Sequence, residues 1–186
     1  MMPEISSRDV LLRAASDMIR RNGYDGVGLN QILGAADLPK GSLYHHFPGG
    51  KSELAQSATV WAAAGVERLV DRIFGEASDF RSGAVALSKA IADKLEQSDK
   101  ILACPVASIL QAGASDAQLR SAGRAVLSGW IEKLASHADR LGQSAPGDAA
   151  ETLVMLMEGA WLLALAEQSS APFERLARRL EAGMAA

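Results

Sequence analysis

Apolar residues recur along this chain at spacings of three and four, with polar positions between them, and no strand-like alternation runs longer than four residues. Val10, Leu11, Ala14, Ala15, Met18 and Ile19 form one such stripe, and Arg13, Arg20 and Arg21 lie off it. Ser6, with Asp9 three residues on, resembles a capping box at its start. Asn22-Gly23 is a pair suited to ending it. After the turn marked by Gly26 and Gly28, residues Leu29, Ile32, Leu33, Ala35 and Ala36 predict a helix of about two turns. Asp37-Leu38-Pro39 breaks that helix, because Pro39 pushes Leu38 away from helical geometry. A second short helix opens at Pro39 or Lys40 and runs to Phe47, with Leu43 and Phe47 pointing one way. Pro48-Gly49-Gly50 stops it.

A long Ala-rich helix over 52–77 comes next, with Leu54, Ala58, Trp61, Ala62, Gly65, Leu69, Ile73 and Phe74 on its inner side. At ~1.5 Å per residue it spans roughly 40 Å, enough to link two domains. Further helices are predicted over 82–97, from Pro105, over 116–141 with Asp116 as cap, over 148–169, and from Ala171-Pro172 to near Met184. The chain therefore reads as all-α with about nine helices. Two short helices around a tight turn, braced by a first helix, make a helix-turn-helix unit. A pair of surface helices in any all-α protein would give the same spacing.

Composition adds a few bounds. The chain has 186 residues, 48% of them hydrophobic, which suits one compact domain or a small domain joined to a larger one. The single Cys104 excludes an intrachain disulfide framework and fits a reducing, cytoplasmic compartment. No secretory leader pattern is expected at the N-terminus. The apolar run Leu153–Ala166 carries Glu158 and is shorter than the ~20 residues of a membrane span, so it is expected to be buried in protein. Net charge is −3, and residues 1–54 hold six Lys+Arg against six Asp+Glu. Any nucleic-acid binding must rest on where the charges sit, not on a basic balance.

One stretch concentrates the chemistry. "LPKGSLYHHFPGGK", residues 38–51, places Tyr44, His45, His46 and Phe47 side by side. Adjacent histidines on a helix diverge by about 100°, and no Cys or carboxylate cluster follows, so no metal site is expected. The chain lacks His-Glu-x-x-His, Gly-x-Ser-x-Gly and P-loop patterns, and no catalytic residue and no cofactor are expected.

At "GLNQILGAADLPKGSLYHHFPGGKSEL" the sequence resembles the TetR family of transcriptional repressors. The resemblance is specific over about residues 8–55. The "FPGGK" ending and the later "CPVASIL" resemble the lincomycin-resistance and YxaF-type subgroup. It implies an N-terminal three-helix DNA-binding domain over 1–54 and a larger ligand-binding and dimerisation domain over 55–186. The implied partners are double-stranded operator DNA, a small-molecule inducer and a second copy of the chain, with no membrane.

Two departures from the family pattern stand out. Gly28 occupies the place where the family commonly has a helix-capping, phosphate-touching Thr, and Lys51 follows Phe47 at one residue more than the commonest spacing.

Carried over residue by residue, the resemblance assigns DNA contact to Lys40, Gly41, Ser42, Tyr44, His45, His46 and Lys51. Tyr44 and Lys51 would grip phosphate; Lys40 would reach phosphate or a guanine edge; Gly41, Ser42 and His45 would meet base edges; His46 would pack sideways under the turn. A ligand pocket is expected from Trp61, Leu69, Cys104, Ile109, Leu110, Trp130, Met155, Glu158 and Trp161. A four-helix dimer interface is expected from residues 148–169 and 172–184 of both chains. The expected function is a ligand-responsive repressor released from its operator by a small apolar or aromatic molecule. The competing expectation is an all-helical dimeric small-molecule-binding protein that does not touch DNA.

Overall fold

The computed structural model describes residues 6–114 and 116–183, and among them every regular element is a helix. In chain order these are α1 (Ser7–Asn22), α2 (Leu29–Ala36), α3 (Lys40–His46), α4 (Gly50–Glu76), α5 (Phe80–Glu96), α6 (Pro105–Ala112), α7 (Ala117–Arg140), α8 (Pro146–Glu167) and α9 (Ala171–Glu181). The all-α reading holds, with nine helices among the described residues. Met184, where the last helix was expected to end, lies outside the described residues.

Caps set the boundaries, and they account for the places where periodicity alone was off. The Ser6 hydroxyl accepts from the Asp9 amide at 3.2 Å and donates to the Asp9 carboxylate at 2.7 Å, so α1 starts as expected. Gly23, at φ +73°, ends it. α4 begins two residues before the expected Ser52, as the Gly49 amide donates to the Glu53 carboxylate at 2.7 Å. α5 starts at Phe80 instead of Ser82, because Asp79 accepts from the Ser82 amide at 2.8 Å and the Asp79 amide donates back to Ser82 Oγ. α8 starts at Pro146 instead of Asp148, proline being suited to a first turn where its missing N–H costs nothing. Asp116 Oδ1 accepts from the Gln118 and Leu119 amides and caps α7.

The chain packs as two compact units. The first comprises the chain up to Ala64 together with Pro105–Val126. Its core joins Leu11, Leu12 and Ile19 of α1, Ile32 of α2, Leu43 of α3, Phe47, Leu54 and Ala58 of α4, Ile109 of α6 and Leu119 of α7. α1 touches α2, α3 and α6. This cover on several sides explains why Leu12 and Ser16 are buried while Val10, Ala14 and Met18, on the expected stripe, are only half-buried.

The second unit comprises Gly65–Cys104 and the chain from Leu127 onward. Its core is built on Phe74, Phe80, Ile91, Leu134, Leu153, Phe173, Leu176 and Leu180. α9 lies mainly along α5, where buried Ser88 donates to the Phe173 carbonyl at 2.8 Å. A Cβ at Gly83 would come within 2.6 Å of the Phe74 ring, so that crossing is closed to any side chain. On α4, Asp71 accepts from Lys133 Nζ at 2.8 Å and lies 3.0 Å from His137 Nε2, both on α7. These two bonds hold the Asp71 carboxyl below the usual carboxylate range, the Lys133 bond contributing most.

α8 has 22 residues and is long and apolar enough, by length and composition, to cross a membrane. The helix is longer than the apolar run read from the sequence. Ala149, Ala150, Leu153, Met157, Ala160 and Ala164 face the core of this unit, so one side of the helix is covered. Met155, Leu162 and Leu163 face outward, 61%, 68% and 52% exposed.

Candidate nucleic-acid interface

The first unit presents α3 as a short helix fixed from one side. Leu43 and Phe47 are fully buried and pin it to α1 and α2. Asp37, in left-handed geometry at φ 52°, and the bond from the Leu38 amide to the Leu33 carbonyl make the turn between α2 and α3. Burial of positions 43 and 47 leaves the remaining faces of α3 outward. Lys40, Gly41 and His45 are exposed, Tyr44 is 46% exposed, and Ser42 and His46 are half-buried. α3 carries Lys40 and no carboxylate.

The surroundings hold several of these groups in place. The His45 and His46 rings meet edge-on, with centroids 4.9 Å apart, and His46 lies 6.3 Å from Phe47. The Arg8 guanidinium sits 5.5 Å over the Phe47 ring. Gly50, at φ +69°, passes beneath Tyr44: a Cβ there would lie 3.9 Å from the Tyr44 ring. Lys51, in the first turn of α4, lies with its ammonium 4.2 Å from the centroid of the Tyr24 ring. Burial pushes the Tyr24 phenol above its usual range, and the Asp116 carboxylate adds to this, so the ring stays neutral. At the departure from the family pattern, the Gly28 amide donates to Gln31 Oε1 at 2.7 Å. Gln31 thus supplies the returning half of a capping box, while the Gln31 amide, which a Thr hydroxyl at position 28 would cap, donates to the Gly28 carbonyl at 3.1 Å.

Sequence reasoning assigned no role to Tyr24 or Arg8. Their partners are 27 and 39 residues away, and only the fold brings them together. A local signal existed for Gln31, which stands at the N3 position of a helix start.

The residues expected to line a ligand pocket divide between the units. Trp61, Ile109 and Leu110 belong to the first, where Trp61 is exposed and Ile109 is fully buried in the core with Leu11 and Leu54. Leu69, Cys104, Trp130, Met155, Glu158 and Trp161 belong to the second. There the non-helical segment 101–104 is strapped along α8. Gln168 accepts from the Ile101 amide at 3.2 Å and donates to its carbonyl at 3.1 Å. Trp161 Nε1 donates to the Leu102 carbonyl at 2.9 Å, and the Cys104 thiol donates to Glu158 Oε1 at 3.0 Å. Burial pushes the Glu158 carboxyl up, and the thiol's hydrogen bond offsets this in part. The buried Trp130 indole N–H has no acceptor among the described residues.

Comparison with known proteins agrees with this arrangement. Residues 11–58 match the profile of bacterial regulatory proteins of the tetR family. Residues 82–179 match the LmrA/YxaF-like transcriptional regulator C-terminal domain. The HTH-type regulator LmrA of Bacillus subtilis (strain 168) is 29% identical over 169 residues, 89% of this chain and 90% of that protein. The uncharacterized HTH-type regulator YxaF of the same organism is 38% identical over 100 residues, 54% of this chain and 52% of that protein, so this match spans about half of YxaF. Among solved structures, a cysteine mutant of the TetR-family regulator CifR, determined with a 26-bp operator duplex, superposes with a TM-score of 0.79. It is 20% identical and the match covers 97% of this chain and 98% of that one, a likeness of fold. With residues 11–58 of tetR-family type and a C-terminal part of LmrA/YxaF type over more than half of the chain, the protein belongs to the TetR family of bacterial transcriptional regulators and is a DNA-binding transcription factor.

Proposed function

We propose that this regulator is a ligand-responsive repressor that binds its operator as a homodimer and leaves it when a small apolar or aromatic molecule binds the second unit. The observation that carries the reading is the outward face of α3. Lys40, Gly41, Tyr44 and His45 stand exposed on a helix whose opposite side, Leu43 and Phe47, is locked into the core. Such a face meets a major groove without rearrangement. Tyr44, Lys51 and Lys40 take phosphate, Gly41, Ser42 and His45 take base edges, and His46 braces His45 from the side. CifR, of the same fold, was solved with operator DNA.

The exposed Met155, Leu162 and Leu163 of α8 support a second copy as their cover, since a monomer leaving three large apolar side chains of one helix in water is disfavoured. Pairing through α8 and α9 would also give the two reading heads needed for half-sites ~34–36 Å apart. For the inducer, the candidates are Leu69, Cys104, Trp130, Glu158 and Trp161. The unpartnered Trp130 N–H supports a bound acceptor there, since a buried donor without one costs ~1–3 kcal/mol. Release requires only that the inducer prefer a conformation with poorer reading geometry; a tenfold weaker grip corresponds to about 1.4 kcal/mol of coupling. The protein would act in the cytoplasm, where its DNA is.

A mobility-shift assay with duplex from upstream of the protein's own gene tests this. Tyr44→Ala and Lys51→Ala should each weaken binding about tenfold across all sequences, whereas Ser42→Ala should alter sequence preference. Unchanged binding in all three variants would overturn the assignment of this face.

A further inference from the structure

We infer that Tyr24 is a positioning residue for DNA binding: its ring face holds the Lys51 ammonium in place with its charge intact, ready for the phosphate backbone. The inference rests on the reading of Lys51 as a phosphate contact given above.

Lysine is a poor fixed contact by itself, because its four-carbon stem has much rotamer freedom to lose when it grips. Here the ammonium lies 4.2 Å from the Tyr24 centroid, well within cation–π range. The ring is itself anchored. Tyr24 is half-buried and packs against the core of the first unit. That packing restrains the ring against which the Lys51 ammonium rests.

The choice of partner matters as much as its position. A carboxylate at the same place would fix the lysine but cancel the charge that phosphate needs. An aromatic face attracts the cation through its quadrupole and leaves the net charge in place. Among the described residues no carboxylate pairs with Lys51. The nearest acidic neighbour in sequence, Glu53, is turned to the Gly49 amide at 2.7 Å. The extra residue between Phe47 and Lys51, relative to the commonest family spacing, gives this stack a further use. It fixes where the displaced lysine points.

The test uses the whole chain and the same upstream duplex, with affinity read by fluorescence anisotropy at several salt concentrations and folding checked by thermal unfolding. Lys51→Met should weaken binding and reduce the salt slope by about 1 per protomer bound. Tyr24→Leu should weaken binding about two- to fivefold at every sequence tested, the scale of an exposed cation–π contact. In a Lys51→Met background Tyr24→Leu should cost nothing more. Phenylalanine at 24 with one, two and three ring fluorines should weaken binding in graded steps, since fluorination drains the ring face while nearly keeping its shape. This series decides the matter if Tyr24→Leu does not fold.

If Lys51→Met binds like the wild type, the reading of Lys51 fails and the inference with it. If Lys51→Met weakens binding but the Tyr24 variants do not, the inference alone fails. It fails equally if Tyr24→Leu costs as much in the Lys51→Met background as in the wild type, because Tyr24 would then act only on the fold.

Discussion

Glu158 stands out in the sequence as the one charged residue in an apolar helix run, and its surroundings set its chemistry. Burial raises its carboxyl above the ordinary range, while the Cys104 thiol pulls it part of the way back. An acid whose folded-state value is raised stabilises the fold while protonated in both states, and that stabilisation is lost as pH rises through the raised value. Glu158→Gln removes the titration. Its thermal midpoint should therefore gain on the wild type as pH climbs from about 4 to 8, and a gap that does not change with pH would contradict this. The oddity of Glu158 was legible in the sequence. Its partner was not, since Cys104 lies 54 residues away and nothing local links them. The same holds for Tyr24 and Lys51. Leu43 and Phe47, by contrast, were readable because their spacing of four puts both on one face of a short helix.

Among the elements, α2 shows what a family departure does locally. Gly28 precedes the helix at φ −90° and ψ 151°, a conformation open to any residue, and a Cβ there would meet only Gln31 Oε1 at 3.5 Å. Gly28→Thr should accordingly fit, supply a hydroxyl cap and stabilise the protein by about a few tenths of a kcal/mol. The midpoint of urea unfolding measures that gain, and a loss would mean that Gln31 is displaced at greater cost. Each helix among the described residues was expected from the sequence, most from apolar spacing and α6 from the proline that opens it. The starts of α4, α5 and α8 were not, because each is set by a capping contact or a proline outside the periodic pattern: Gly49 with Glu53, Asp79 with Ser82, and Pro146.

For the whole molecule, apolar spacing tells that a helix is buried but not against what. α6 illustrates the limit: Ile109 and Ala112 complete the core of the first unit although 50 residues of chain separate Ile109 from Ala58, the core residue before it. The packing units are interleaved along the sequence, the first taking in Pro105–Val126 as well as the chain up to Ala64. Subunit association makes its prediction at this scale. Leu162→Asp with Leu163→Asp alters only outward-facing side chains, so folding should survive with a change of about 0.5 kcal/mol or less per site. Sedimentation should nonetheless show the wild type as a dimer and this variant as a monomer, with operator binding falling alongside. A doubly substituted protein that remains dimeric would place the interface elsewhere.

The tryptophans are distributed so that the protein is its own optical probe. Trp61 belongs to the first unit and meets water, while Trp130 and Trp161 belong to the second, one buried and the other bonded to the Leu102 carbonyl. Their emission therefore differs in colour and in access to a dissolved quencher. Phenylalanine in place of Trp61 leaves a protein whose tryptophan emission, excited beyond the tyrosine band, comes from the second unit alone, and a molecule entering there would announce itself without any label.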